Sequence, residues 1–184
     1  EINAAGGING FKIRFEFEDD AASPDQAVSA YNALIDKGMQ ILMGTVTSGA
    51  CIAVVEQTKD DNVFQLTPSA SAVEAIKHDN AFRVCFNDPN QGIGVADYIK
   101  ENNLASKIGI IYNASDPYST GIYNKFKERA DEIGLNIVAT ESFSKDTSVD
   151  FKPQLQKMKD LEADLVFLPI YYEAAASILI QARD

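Results

Sequence analysis

Residues 41–51 read ILMGTVTSGAC. An apolar run stops at Gly44, and uncharged hydroxyl residues, Thr45, Thr47 and Ser48, take over before Gly49 and Ala50. The pattern is that of a short buried strand, a tight exit and the start of a helix. The stretch VFQLTPSAS at 63–71 repeats it, with Thr67, Ser69 and Ser71. A loop needs polarity, but not this much hydroxyl without charge. Two such exits in one chain point to a site for something small and polar.

Strand and helix alternate on both sides of these exits. Upstream, KIRFEFED at 12–19 places Ile13, Phe15 and Phe17 on one face and charges on the other, which predicts a half-buried edge strand. Ser23 caps a helix with Pro24 and Asp25 in its first turn; Ala27, Val28, Tyr31, Leu34 and Ile35 follow helical spacing, and Gly38 ends it. QILMG is then a short buried strand, 49–59 a helix, VFQL a strand, SAVEAIK a short helix and AFRVCF a strand. NDPNQG at 87–92 has turn chemistry and marks a boundary between two lobes, 1–88 and 89–184, with the crossing near Phe86 to Pro89. Downstream follow a helix from Ile93 to Asn103, strand KIGIIY, a helix from Tyr118 to Ile133 ended by Gly134, strand NIVATESF, a helix from Phe151 to Leu161, strand ADLVFLP and a helix from Tyr172 to Arg183. In the helix at 151–161, Leu155, Met158 and Leu161 form the core face. This order predicts an α/β fold with parallel sheets covered on both faces. EINAAGGING reads as the last turn of a helix with Gly6 or Gly7 as its cap, and ASILIQARD as helix without a stop. Both ends read as cut elements of a longer protein.

A hydrophobic content of 46% supports one substantial core or two small ones. The net charge of −11, from 27 acidic and 16 basic residues, repels phosphate backbones and argues against nucleic acid as a partner. The longest apolar runs are too short to span a bilayer. Cys51 and Cys85 read either as small buried hydrophobes or as a pair, and the single histidine, His78, as a surface residue that makes neither a metal site nor a triad. Asp19 and Asp20 are solvated loop acids. GIGVAD at 92–97 lacks the third glycine of a dinucleotide fingerprint and falls within a helix, and there is no P-loop lysine, HExxH or GxSxG.

In open parallel sheets, ligands bind beyond the C-terminal ends of the strands. There the first lobe offers Thr45–Gly49 and Thr67–Ser71, and the second Asn113–Tyr118 and Pro169–Tyr172. The first turn of a helix leaves backbone N–H groups unpaired and holds a carboxylate without Lys or Arg. Ser48 adds a hydroxyl donor, or is simply the N-cap. The Ser69 carbonyl and Ser71 hydroxyl offer acceptors for an ammonium, or the serines merely cap the next helix. Tyr118 and Tyr171 either pack or close the site from the second lobe.

The order INAAGGING, an edge strand ending in acids, SPDQAV, MGTVTSG, LTPSAS, FRV and NQG resembles the amino-acid-binding proteins of bacterial ABC importers, above all the branched-chain (leucine/isoleucine/valine) binding proteins. KIGIIYNASDPYSTG, DFKPQLQKMK and ADLVFLPIYYEAAASILIQAR continue it over nearly the whole chain. The resemblance implies a type I periplasmic-binding-protein fold: two Rossmann-like lobes, a hinge and a ligand cleft between them. It implies no enzyme activity, no cofactor and no metal; the partners are a small amino acid and a membrane permease. It implies a periplasmic or extracellular location, free or lipid-anchored. By the resemblance, Ser48 binds the ligand carboxylate, Ser69 meets the ammonium through its carbonyl, Ser71 bridges both groups, and Tyr118 and Tyr171 close over the ligand. The family's first strand, most of its first helix and roughly its last half, with the usual acidic partner of the ammonium, are then missing from 1–184. Open sheet edges in both lobes are expected. The disulfide of some members would need cysteines at Ala22 and Thr47, which Cys51 and Cys85 do not replace. A ligand-sensing domain of a receptor or regulator is the competing use of this fold, and a Rossmann-type enzyme a more distant one.

Overall fold

The computed structural model describes residues 1–144 and 149–183. Helices α1 (Pro24–Asp36), α2 (Ser48–Asp60) and α3 (Asp88–Glu101) alternate with strands β1 (Ile41–Met43), β2 (Phe64–Thr67) and β3 (Ala81–Arg83). There follow β4 (Ile108–Asn113), α4 (Pro117–Ile133), β5 (Ile137–Phe143), α5 (Lys152–Asp160), β6 (Leu165–Phe167) and α6 (Tyr172–Gln181). Two three-stranded sheets result, ordered β1-β2-β3 and β5-β4-β6. All pairings are parallel, with Leu42 beside Gln65, Leu66 beside Phe82, and Ile110 beside both Thr140 and Phe167.

The second sheet is buried on both faces. Ile108 and Ile110 pack on Ala96, Ile99, Phe126 and Ala130 of α3 and α4. Ile111, Ala139 and Phe143 pack with Phe151, Met158 and Ile178 on the other side. The first sheet is covered on one face only, where Leu42 and Val63 meet Ala27, Tyr31 and Leu34 of α1 and Ala50 and Val54 of α2. Its other face leaves Ile41, Met43, Phe64 and Phe82 exposed, with Phe64 and Phe82 stacked on each other. The expectation of sheets covered on both faces therefore holds for one sheet of the two, and QILMG buries only Leu42 along its strand. Among the described residues, no further strand pairs with the outer strands of either sheet.

The predicted edge strand at 12–19 does not form. Phe15 and Phe17 are 67% and 81% exposed. An alternating segment becomes a strand only against a partner, and the backbone here is tied down by side chains instead. Asn3 exchanges two hydrogen bonds with Ile13 (2.6 and 2.7 Å), and Arg14 Nη2 donates to the Lys37 carbonyl (2.5 Å).

NDPNQG is a helix start rather than an interrupting turn. The Asn87 side chain accepts from the Asn90 N–H at 3.0 Å, and a proline lies in the first turn, where its missing N–H costs nothing. α1, α4 and α5 also carry proline in the first turn. SAVEAIK forms only a 3₁₀ turn, Val73–Ile76, and AFRVCF leaves the ladder after Arg83. On α5, Met158 is buried, whereas Leu161 lies just past the helix end and is exposed. The N-terminal turn ends as expected: the Gly7 N–H reaches the Ile2 carbonyl (2.9 Å) and the Gly6 N–H that of Asn3 (3.3 Å), with Gly6 left-handed at φ 102°. α6 closes at Gln181, and Asp184 lies outside the described residues.

α3 and α4 are in close contact at Gly92. A Cβ there would lie 2.5 Å from the Ile122 carbonyl oxygen and 2.7 Å from the Phe126 nitrogen, both backbone atoms that cannot swing away. Gly94, two residues on, faces open space. Gly92→Ala is expected to destabilise the whole protein by about 3 kcal/mol through overpacking. Gly94→Ala is expected to be neutral or to stabilise it by up to about 1 kcal/mol. Urea unfolding of the two variants checks the contrast, and equal effects would contradict the close crossing.

Candidate functional site

All five residues singled out from the sequence lie beyond the C-terminal ends of strands. Ser48 follows β1, Ser69 and Ser71 follow β2, Tyr118 follows β4 and Tyr171 follows β6. β1 and β2 are neighbours, as are β4 and β6, so each lobe presents its own pair of exits.

In the first lobe the exits are locked together by hydroxyls. The Ser48 oxygen is fully buried and accepts from the backbone N–H of Ser71 (3.2 Å) and of Ala72 (3.1 Å). A hydroxyl with two such bonds still has its own hydrogen to donate. The N-cap of α2 is Thr47, and that of the 3₁₀ turn is Ala72, so neither Ser48 nor Ser69 nor Ser71 serves as a cap. Thr67 Oγ1 donates to the Thr45 carbonyl (2.6 Å) and accepts from the Ala70 N–H (3.0 Å). Beneath them, buried Gln65 donates to the Gly44 carbonyl (3.1 Å) and accepts from Thr58 Oγ1 (2.8 Å). Three of the hydroxyls that marked the exits thus have distinct fates: Thr67 is structural, Ser48 bridges the loops, and Thr47 Oγ1 is buried without a partner among the described residues.

The first main-chain bond within α2 runs from the Cys51 N–H to the Thr47 carbonyl at 3.0 Å. The N–H groups of Ser48, Gly49 and Ala50 therefore precede the helical ladder and carry its positive end. A Cβ added at Gly49 would meet only Pro24 Cγ, at 3.8 Å. Packing within the protein does not require glycine there.

The loop 69–72 is held from behind by Arg83, which the sequence flagged only as part of FRV. Its Nη1 donates to the carbonyls of Ser71 (2.6 Å), Ala72 (2.9 Å) and Ala70 (3.4 Å). The Ser69 carbonyl is the one in this loop that Arg83 leaves alone, and Ser69 itself is exposed. Ser71 is buried.

In the second lobe Tyr118 and Tyr171 stack, with ring centroids 4.7 Å apart. Asp116 caps α4, its Oδ2 accepting from the Ser119 N–H (3.1 Å). Ser119 mirrors Ser48: fully buried in a helix first turn, its oxygen accepts the Asn113 N–H of the preceding exit at 2.8 Å. The lobes meet where the Tyr171 hydroxyl faces the Ser48 backbone N–H. Tyr171 is 42% exposed, yet burial at its hydroxyl end and the nearby Asp116 carboxylate push its phenol above the usual range, against the bond to Ser48.

Two acids at this junction, Asp88 buried and Asp116 half-buried, were not anticipated. Asp116 is raised above the ordinary carboxyl range by burial, against hydrogen bonds from Ser119 and Tyr118. Asp88, 1% exposed, is pushed up to about 6 by burial, opposed by the Ser71 hydroxyl and Arg83 and assisted by Asp116 and Glu74. The sequence signal was available: Asn87-Asp88-Pro89 and Asp116-Pro117 have the cap-then-proline form read correctly at Ser23-Pro24.

Cys51 and Cys85 are free thiols, the first buried beside Gln65 and the second donating to the Ala70 carbonyl of the loop 69–72 at 3.8 Å. His78 bonds Glu56 at 2.9 Å, and Asp19 and Asp20 accept from the N–H groups of Ala21 and Ala22.

The family model described as periplasmic binding protein matches residues 1–184. The chain is similar to Leu/Ile/Val-binding protein homolog 3 of Brucella melitensis, at 30% identity over 185 residues, covering 100% of this chain and 50% of that protein. It is also similar to Leu/Ile/Val-binding protein BraC3 of Rhizobium johnstonii, at 30% identity over 186 residues with the same coverage. Among solved structures, the branched-chain amino acid transporter substrate binding protein LivJ of Streptococcus pneumoniae, in complex with isoleucine, superposes with a TM-score of 0.90 at 33% identity, covering 99% of this chain and 52% of that one. A solute binding protein of R. palustris in complex with 4-hydroxybenzoate shares the fold at a TM-score of 0.81 and 21% identity, over 91% of this chain and 45% of that one. The chain spans about half the length of these relatives.

Asp88 makes folding stability depend on pH. Its folded pKa of about 6 lies above the ordinary 3.8, so the fold favours the protonated carboxyl. That contribution is complete below about pH 4 and is lost as pH rises through about 6. Asp88→Asn cannot ionise and escapes the loss. The melting temperature of the variant minus that of the parent is expected to grow between about pH 4 and about pH 7. A constant difference across this range would contradict the assignment.

Proposed function

The chain belongs to the periplasmic binding protein family, and we propose on that footing that it supplies the amino-acid clamp of an extracytoplasmic solute-binding subunit of an ABC importer. The observation that carries this reading is the first turn of α2. Its unpaired N–H groups and the Ser48 hydroxyl sit opposite the Tyr118–Tyr171 stack of the other lobe.

In this account the ligand's carboxylate binds the N–H groups of Gly49 and Ala50 and the Ser48 hydroxyl, with the helix dipole supplying the positive charge. The ammonium meets the Ser69 carbonyl and the Ser71 hydroxyl. Lobe 1 is 1–88 and lobe 2 is 89–184, and hinge closure brings the two tyrosines over the ligand. The ligand is a branched-chain or other aliphatic amino acid; two relatives are named Leu/Ile/Val-binding proteins and a similar structure holds isoleucine. The protein works outside the cytoplasm, free or lipid-anchored, and the closed form delivers its ligand to a membrane permease. No covalent step is needed.

Ser48→Ala is a poor probe of binding alone. It strands two buried N–H groups, each at about 1–3 kcal/mol, and so unfolds the loop as well as removing a donor. Gly49→Ala is cleaner, because its Cβ meets nothing closer than 3.8 Å within the protein. Thermal melts of the whole protein against the common amino acids, small carboxylates and nucleotides test the reading. An aliphatic amino acid is expected to raise the melting temperature of the parent, and Gly49→Ala is expected to keep the parent's unliganded melt but lose at least about tenfold in affinity. A shift with aromatic carboxylates or nucleotides but with no amino acid would overturn the ligand class.

A further inference from the structure

The loop after β2 satisfies its main chain almost completely. All four N–H groups of residues 69–72 go to hydroxyl oxygens: Ser69 and Ala70 to Thr67 Oγ1 (3.4 and 3.0 Å), Ser71 and Ala72 to Ser48 Oγ (3.2 and 3.1 Å). Three of the four carbonyls converge on one nitrogen, Arg83 Nη1, at 3.4 Å from Ala70, 2.6 Å from Ser71 and 2.9 Å from Ala72. Each of these also takes a second donor: Cys85 Sγ at Ala70 (3.8 Å), the Asp88 N–H at Ser71 (3.0 Å) and the Ala75 N–H at Ala72 (3.1 Å). A carbonyl oxygen has two lone pairs, so these three are full. The Ser69 carbonyl is the only main-chain group of this loop without a partner among the described residues.

We propose that Arg83 is the positioning residue behind the ammonium acceptor. By gathering the carbonyls of Ala70, Ser71 and Ala72 onto its guanidinium, it leaves the Ser69 carbonyl as the loop's single main-chain acceptor for an amino-acid ligand. This rests on the amino-acid-binding reading above and deepens it. Arg83 acts through the loop rather than on the ligand.

The peptide between Ser69 and Ala70 is trans, so its C=O points opposite to its N–H. With the Ala70 N–H held by Thr67, the Ser69 carbonyl is aimed away from Thr67. Arg83 fixes the other side of Ala70 by holding its carbonyl and the next two. Hydrogen bonds from a charged donor are stronger than neutral ones, and three successive peptide units tied to one cation have little freedom to turn. Without the guanidinium, the carbonyls of Ser71 and Ala72 each regain a lone pair. The acceptor is then neither single nor fixed. A lysine keeps the charge but not the planar fork, and replaces arginine only in part.

Calorimetric titration of the whole protein with L-isoleucine, L-leucine and L-valine tests this, at a temperature where thermal melts show each variant folded. Arg83→Met is expected to bind with the parent's stoichiometry but at least about tenfold more weakly. A merely structural arginine would lower the melting temperature and leave the affinity of the folded protein unchanged. Arg83→Lys is expected to recover most of the loss, to within about threefold of the parent. Should Arg83→Met fail to fold, Arg83→Lys is read alone, and the parent's affinity in it would overturn the proposal. Parent-like affinity in folded Arg83→Met would likewise overturn it and leave the binding reading intact. Failure of all three amino acids to bind the parent would overturn the aliphatic-amino-acid reading itself, and this proposal with it.

Discussion

The Ser48 hydroxyl, accepting two backbone N–H groups from the loop after β2, is the bond on which the first lobe's binding surface depends. Buried N–H groups must be paired, and the loop 69–72 has no strand to pair with at this point. Because the acceptor is the first residue of α2, the helix start and the neighbouring exit become one rigid piece. Thr67 and Gln65 brace that piece from within, and Arg83 holds its carbonyls from behind. The surface left over is small: the Gly49 and Ala50 N–H groups, a carbonyl and two hydroxyls. Such a surface suits a zwitterion because it offers donors and acceptors in separate places and needs no charged side chain in direct contact.

The second lobe is built on the same device and a tighter core. Ser119 does for the exit of β4 what Ser48 does for its neighbour. The close approach at Gly92 binds α3 to α4, so α3 belongs mechanically with the second sheet although its first residue grips Ser71. This is why Asp88 sits buried between lobes. A carboxyl there is costly when ionised, and Arg83 and the Ser71 hydroxyl offset only part of the cost. The first lobe, by contrast, has one bare sheet face carrying Ile41, Met43, Phe64 and Phe82.

Much of this was legible in the sequence because it rests on local rules. Apolar runs followed by small hydroxyls located the exits, helical spacing located Ala27, Tyr31 and Leu34 in the core, and Gly38 and Gly134 ended their helices. What was not legible depends on partners. KIRFEFED has strand periodicity, but periodicity cannot say whether a neighbouring strand is there to receive it. Thr67 and Ser48 look alike in sequence, and only the packing of β1 beside β2 makes one structural and the other a bridge. NDPNQG was misread because asparagine, aspartate and proline serve turns and helix starts equally, and the misreading hid Asp88.

The central claim is that a ligand carboxylate is held by the first turn of α2 while its ammonium faces the loop after β2. A crystal structure of the whole protein grown with L-isoleucine tests it most directly. The account predicts the carboxylate oxygens within hydrogen-bond distance of the Gly49 and Ala50 N–H groups and the ammonium beside the Ser69 carbonyl, under Tyr118 and Tyr171. A ligand bound in the reverse orientation, or held elsewhere with these N–H groups facing solvent, would contradict it.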